Sequence, residues 1–360
     1  MIRILFVASH RPGRAPGQRF RFEQYLEYLE ENGYQCDVSY LVTEEDDRVL
    51  YRSGSYVSKM MFTRRARAIR TADLRRIEDF DLVFVFREAL MTRSLAFERA
   101  VARSGAKMIF DFDDAIWISN VSKANRAFGW MKNPAKTSDI IAVSDMVFAG
   151  NAYLSEYAGQ YNENVKVVPT TIDTDQYQPR PPRSDGPVCI GWSGSITTIQ
   201  HFESALPFLL PLKERFGDSI RIKVIGDRRY RHERLGVEGI GWSMATALTE
   251  LSDIDIGIMP LPDDMWAKGK CGLKGLQYMA LGIPTLMSPV GVNTEIIAEG
   301  ENGFLPADPE AWVERIATLI EDPALRKDIG AAGRETVVQR YSVDSQKRRY
   351  LQYFNELLSS

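Results

Sequence analysis

"KGKCGLKGLQYMALGIPTLMSP" (residues 268–289) reads as the opening of a helix followed by a buried strand. A helix over about Cys271 to Leu281 would be stopped by Gly282 and Pro284, and the apolar "PTLMSPV" (284–290) would follow as a strand. At about 100° per residue, Lys270, Lys274 and Gln277 fall within roughly 60° of one another, while Leu273, Leu276 and Ala280 form a second face that can pack on a sheet. This register puts both lysines at the positive end of the helix, where the macrodipole opposes them by about 0.3–1 kcal/mol. Gly272 and Gly275 each cost about 1 kcal/mol relative to alanine inside a helix. Bare amides and two ammonium groups converging on a phosphate would give that arrangement a purpose. A solvated surface helix with incidental lysines is the alternative.

The same strand-then-helix rhythm extends in both directions. "IRILFVAS" (2–9), "QCDVSYL" (35–41), "DLVFVF" (81–86), "KMIFDF" (107–112), "DMVFAG" (145–150) and "VKVVPT" (165–170) read as strands. Between them, Phe22, Tyr25, Leu26 and Leu29 recur with helical spacing, and helical stretches lie around 66–79 and 91–103. "QYQPRPPRSDGP" (176–187) interrupts with four prolines and no hydrophobic pattern, as a linker does. Alternation restarts at "VCIGWSGS" (188–195), runs through a helix to about 215, and continues in "IRIKVIGD" (220–227) and "IDIGIMPL" (254–261). Two helices, about 309–321 and 343–358, close the chain. The pattern predicts an α/β protein of two doubly wound, Rossmann-like domains facing a cleft. Their expected bounds are 1–178, a linker at 179–187, and 188–340, with a C-terminal helix at 341–360 packing back on the first domain.

The chain has 360 residues, enough for two ordinary cores, with 44% apolar and 26% charged residues and a net charge of −3. That charge gives no global attraction to nucleic acid, so any basic site must be local. Three cysteines without CxxC spacing (Cys36, Cys189, Cys271) argue against a disulfide framework or a zinc site. The opening apolar run is too short for a signal peptide, and no stretch approaches the roughly 18 apolar residues of a span, which predicts a cytoplasmic protein.

"GKCGLKGLQYMALGIPTLMSPVGVNTEIIAEGENGFL" (269–305) resembles the donor-binding signature of the family-4 glycosyltransferases, which have the two-domain GT-B fold. "NVKVVPTTIDTDQY" (164–177), "LSDIDIGIMPL" (251–261) and "DPALRKDIGAAGRETVVQRYS" (322–342) resemble other segments of that family in the same order. The resemblance implies a nucleoside-diphosphate-sugar-dependent transferase that retains anomeric configuration and needs no metal or other cofactor. The family pattern has two glutamates, the second of which grips the ribose. Here Gln277 stands at the second and Gly269 falls near the first, which marks a divergent subgroup. The family's Arg and Lys after the first strand of the second domain are replaced by Ser195 and Gln200, so Lys270 and Lys274 would carry the phosphate charge. The implied donor site places the base near "GIGWS" (239–243, with Trp242 and Ser243) and the ribose at Gln277. The diphosphate falls at Gly194, Ser195, Lys270, Lys274 and the Cys271, Gly272 and Leu273 amides, with Glu295 nearby.

Other groups have competing readings. In "RPGRAPGQR" (11–19), Gly17 allows close approach and Arg19, near an expected helix start, could meet a phosphate or an acidic acceptor. In "FDFDDAIW" (110–117), Asp111, Asp113 and Asp114 could cap and pair structurally, recognise acceptor hydroxyls with Asp113 assisting proton removal, or hold a metal, ranked last. Arg87 and Glu88 are acceptor contacts or an ion pair. Of the histidines, His10 could face the cleft, whereas His201 and His232 read as surface groups. "SKMMFTRRARAIRTADLRR" (58–76) clusters Lys59, Arg64, Arg65, Arg67, Arg70, Arg75 and Arg76 with Met60, Met61 and Phe62. It is a solvated helix, or a peripheral contact with an anionic membrane through residues 59–76. The expected partners are a nucleotide-sugar donor and a glycan, lipid-linked or other hydroxyl acceptor. A nucleotide-sugar epimerase or hydrolase of the same fold, and a non-catalytic nucleotide-sugar-binding partner protein, remain open as alternatives.

Overall fold

The computed structural model describes residues 1–50, 56–118, 135–180 and 186–359. Residues 181–185 of the expected linker lie outside them. The chain forms two compact units, one of Met1–Thr170 with Lys347–Ser360, the other of Thr171–Gln346.

The first unit is built on strands β1 (Ile2–Val7), β2 (Tyr34–Ser39), β3 (Leu82–Phe86), β4 (Lys107–Phe112), β5 (Met146–Ala149) and β6 (Val165–Val167). They form one sheet in the order β2-β1-β3-β4-β5-β6, with every neighbouring pair parallel. A parallel sheet is covered on both faces, which is why β3 reads LVFVF without a polar residue and is buried throughout. Aromatic side chains fill the space above it. Phe6 stacks on Phe22 at 5.2 Å, and Tyr350 of the C-terminal helix Val343–Leu358 stacks on Tyr25 at 4.2 Å.

The second unit holds β7 (Val188–Ser193), β8 (Ile220–Gly226), β9 (Arg231–His232), β10 (Val237–Glu238), β11 (Ile240–Gly241), β12 (Ile256–Met259) and β13 (Thr285–Met287). Five of these form a parallel sheet in the order β11-β8-β7-β12-β13, while β9 and β10 pair antiparallel beside it. Trp192, Phe202, Phe208, Leu209 and Trp312 belong to its core, with Phe208 and Trp312 stacked at 4.5 Å.

Several helices differ from expectation. The first is broken into Pro16–Arg21, a 3₁₀ turn at Glu23–Tyr25, and Leu26–Glu31. Phe22 leaves the helical path at φ −134°, ψ −33° and stacks on Phe6. The basic helix spans Tyr56–Arg75, starting ten residues before the expected stretch, and the next one is only Ala96–Val101. The helices Ala135–Val143 and Ala152–Ala158 have no counterpart in the sequence reading, whereas Pro323–Thr336 lies in the stretch 322–342 that resembles the family's C-terminal helices. No helix among the described residues is long and apolar enough to cross a membrane.

Candidate functional site

In an open parallel sheet, ligands bind outside the carboxyl ends of the strands where the strand order reverses. In the second unit this switch point lies between β7 and β12. The loop leaving β7 carries Gly194 and Ser195, and its amides are already used. Gly194 donates to the Ile225 carbonyl at 2.8 Å, and Ser195 donates to Thr198 Oγ1 at 2.9 Å. The expected presentation of these two amides to an anion is therefore corrected: they hold the turn. Gly194 is small because a Cβ there would enter the Trp192 ring.

The lysine-bearing helix is Leu273–Ala280, starting two residues later than expected. Its N-cap is Gly272, in the left-handed region at φ 69°, where a Cβ would also strike Ile296. The first-turn amides, which have no intrahelical acceptor, are thus those of Leu273, Lys274 and Gly275. Cys271, largely buried, precedes the cap. Gly275 is explained by packing, since a Cβ would lie 2.5 Å from Met287 Sδ. Lys274 is the second residue of the helix, but Lys270 is not helical. Its amide donates to Ala267 O at the end of a short helix, Met265–Lys268, which Asp264 caps. A cation there meets a negative helix end and is favoured. Both ammonium groups lie over indole faces, Lys270 Nζ 4.7 Å from the Trp266 centroid and Lys274 Nζ 4.8 Å from that of Trp192.

Gln277, on the same face, donates to Tyr177 OH at 2.9 Å. Next to it, Tyr278 is fully buried and locks the helix to β7. It accepts from Ser193 N at 2.7 Å and donates to Ser193 Oγ at 2.9 Å. Ser243 caps the helix Met244–Ser252 by accepting from the Thr246 amide, and Trp242 beside it is half-buried. Glu295 is exposed on the short helix Asn293–Ile296.

His201 corrects an expectation. It sits on the helix Ile199–Glu203 after β7 and is 5% exposed, not a surface group. Burial, then the charges of Lys274 and Lys270, lower its pKa to about 4, against a small opposing effect of Asp264. His232 is half-buried and caps a 3₁₀ turn by accepting from Leu235 N at 3.3 Å.

In the first unit the strand order reverses between β1 and β3. There Arg87 adopts φ 61°, unusual for a residue other than glycine, and turns its guanidinium between two carboxylates. Its Nε donates to Asp113 Oδ1 at 2.7 Å and its Nη2 to Asp114 Oδ2 at 2.6 Å. Burial alone would lower the Arg87 pKa, and the two carboxylates reverse that and hold it above the ordinary value. Gly17 lies against this group, for a Cβ there would sit 2.9 Å from Asp113 Oδ2. His10 is near as well. Burial lowers its pKa to about 4, assisted by Arg14, Arg87 and Arg11 and opposed by Asp47.

Asp111 does not join this group. It is 1% exposed and forms a buried pair with Arg21, whose Nε donates to Asp111 Oδ2 at 3.1 Å and whose other nitrogens reach Asp111 Oδ1 and the Val168 carbonyl. The acceptor role expected of Asp111 is therefore corrected to a structural one. Arg19 falls in the last turn of its helix, not at the start, with its guanidinium over the Phe20 ring at 4.4 Å. Glu88 accepts from Lys136 Nζ at 3.0 Å, so it pairs with a helix rather than with Arg87. Among the described residues no group of three or more His, Cys, Asp or Glu is arranged to hold a metal.

The basic segment divides by face. Lys59, Phe62, Ala66 and Arg70 are buried, and Arg70 donates to Ala89 O, Ala8 O and Ser39 Oγ. Two of the seven expected surface cations are therefore internal. Val57, Met60, Met61, Arg64, Arg67 and Arg75 form the exposed stripe.

Residues 189–322 match the family Glycosyl transferases group 1. A trehalose synthase from Pyrococcus horikoshii is 33% identical over 86 residues, covering 24% of this chain and 21% of that protein. The sulfoquinovosyl transferase SQD2 of Arabidopsis thaliana is 30% identical over 148 residues, covering 37% of this chain and 27% of that protein. The chain thus matches about a quarter of the length of these relatives. Among solved structures, Anabaena HepE in complex with UDP and glucose superposes with a TM-score of 0.71 at 13% identity, covering 99% of this chain and 100% of that one. The second unit is therefore similar, over residues 189–322, to the family Glycosyl transferases group 1, and the chain has the two-domain, Rossmann-like GT-B fold.

Proposed function

We propose that the protein is a glycosyltransferase that moves a sugar from a nucleoside-diphosphate donor to an acceptor hydroxyl, with retention and without a metal. Its products would be polysaccharide or other glycoconjugate. One observation carries the reading: Lys270, Lys274 and the first-turn amides of Leu273–Ala280 gather at the switch point of the second unit, inside the Glycosyl transferases group 1 segment. Breaking the anomeric bond puts negative charge on the departing diphosphate. Fixed ammonium and amide donors stabilise that charge without reorganising, and one such donor supplies several kcal/mol. Gln277 would meet the ribose with its amide, without the charge assistance a glutamate has. On the acceptor side, Arg87 with Asp113 and Asp114 presents a charged group at the switch point of the first unit.

The HepE complexes contain UDP and glucose or UDP-glucose, so UDP-glucose is the first donor to try, followed by GDP- and ADP-sugars. Nucleotide release is measured with and without acceptor extract. Release that needs acceptor supports transfer, acceptor-free turnover points to an epimerase or hydrolase, and binding without turnover points to a non-catalytic partner. Lys270→Ala/Lys274→Ala should lose donor binding and turnover while remaining folded, and wild-type rates would overturn the phosphate assignment.

The exposed Met60, Met61, Arg64 and Arg67 support a finer reading, in which a cytoplasmic protein rests on an anionic membrane surface that carries its acceptor.

A further inference from the structure

At the donor end of the second unit, two buried nitrogens have no hydrogen-bond partner among the described residues: Trp192 Nε1 and His201 Nδ1. Both lie beside the lysine pair. Lys274 covers the Trp192 ring, Trp192 packs on Phe202 at 5.8 Å, and His201 is the residue before Phe202. A buried imidazole nitrogen left unbonded costs the empty protein free energy, and a ligand that bonds it recovers that cost on binding.

We propose that His201 is a third diphosphate-binding residue, which takes up a proton from solvent as the donor binds between it and the two lysines. This rests on the donor-site reading above and deepens it. The charged groups that act on His201 are Lys274, Lys270 and Asp264. In the empty site, burial and the two ammonium charges keep the imidazole neutral down to a pH of about 4. A bound diphosphate carries two negative charges into the same space. It cancels the lysine effect and adds an attraction of its own, and an opposite charge at contact distance raises a pKa by about 1–3 units. Nδ1 is buried in the empty site, so the ring must turn it toward the diphosphate before the imidazolium donates from it to a phosphate oxygen. Between the pKa values of the empty and occupied site, affinity should fall by about tenfold per unit of rising pH.

The test is titration calorimetry with intact UDP-glucose, GDP-mannose and ADP-glucose, whose pyrophosphates do not titrate in this range. Each is run at about pH 5.5 in two buffers of different ionisation enthalpy. Wild type should take up about 0.2–0.9 of a proton per donor bound at this pH, and His201→Gln and His201→Asn should take up none and bind several-fold more weakly. Wild-type binding without proton uptake overturns the inference and leaves the donor site standing. Uptake that survives in both variants also overturns it, because another group is then titrating. No binding of any donor to wild type overturns the inference and the donor-site reading together. The wild-type measurement decides even if both variants fail to fold.

Discussion

Asp111 separates a structural carboxylate from a reactive one. It and Arg21 are each about 1% exposed at the side chain, and Arg21 has the Val168 carbonyl as a further acceptor. Asp111→Ala would leave a guanidinium in the core with its counter-charge gone. Breaking a buried pair from one side costs about 3–5 kcal/mol. For a unit of this size, about 2–4 °C of melting temperature is lost per kcal/mol, so the first unit should melt roughly 6–20 °C lower. Arg21→Met/Asp111→Leu should recover most of that loss, because a well-packed apolar replacement avoids desolvating either charge. Calorimetry on the full chain reads the transition, and donor binding to the second unit serves as the control that should not move. If Asp111→Ala melts at the wild-type temperature and yet abolishes acceptor-dependent turnover, the carboxylate faces substrate and the reasoning is wrong.

Gly275→Val should destabilise by about 1–3 kcal/mol, because Met287 occupies the space a side chain would need. Alanine should cost less, since the flexible thioether can move aside, and an unchanged melting temperature for valine would refute the packing account. Full-length protein should co-sediment with phosphatidylglycerol vesicles and not with phosphatidylcholine ones. Arg64→Gln/Arg67→Gln should weaken that binding about thirtyfold, from about 1 kcal/mol per cation, and equal binding to both vesicle types would end the membrane reading.

The parallel strands were legible because burial on both faces turns them into continuous apolar runs, as in "ILFV" and "LVFVF". The two-residue β11 offered no such run. The break in the first helix depends on Phe22 finding Phe6, a tertiary contact that overrides helical periodicity. Lys270 was misplaced for a local reason that could have been read. "DDMWAKG" (263–269) carries an N-cap aspartate and a terminating glycine, so a separate short turn of helix ends before Lys270. Asp111 is harder to read, since its partner lies ninety positions away. Its place inside a strand buried on both faces was the available signal, because a carboxylate there must be paired. The sequence reads His201 as a surface group, although the apolar residues that follow it in "HFESALPFLL" (201–210) mark an inward-facing stretch.

The electrostatic case for a bound anion changes its footing in the structure. Opposition by the helix dipole applies to Lys274 alone and amounts to about 0.3–1 kcal/mol. The Trp192 face beneath Lys274 returns about 0.5–2 kcal/mol, so the empty site bears no net penalty that an anion must relieve. Gly272 and Gly275 are likewise accounted for by Ile296 and Met287 without reference to a ligand. What remains is convergence. Two ammonium groups, one run of first-turn amides and a buried neutral imidazole meet at the one end of the sheet where strand order reverses. Each feature has an ordinary explanation when taken alone. Packing, however, gives no reason for positive potential to collect around a histidine nitrogen that nothing in the described protein bonds, and an incoming diphosphate does.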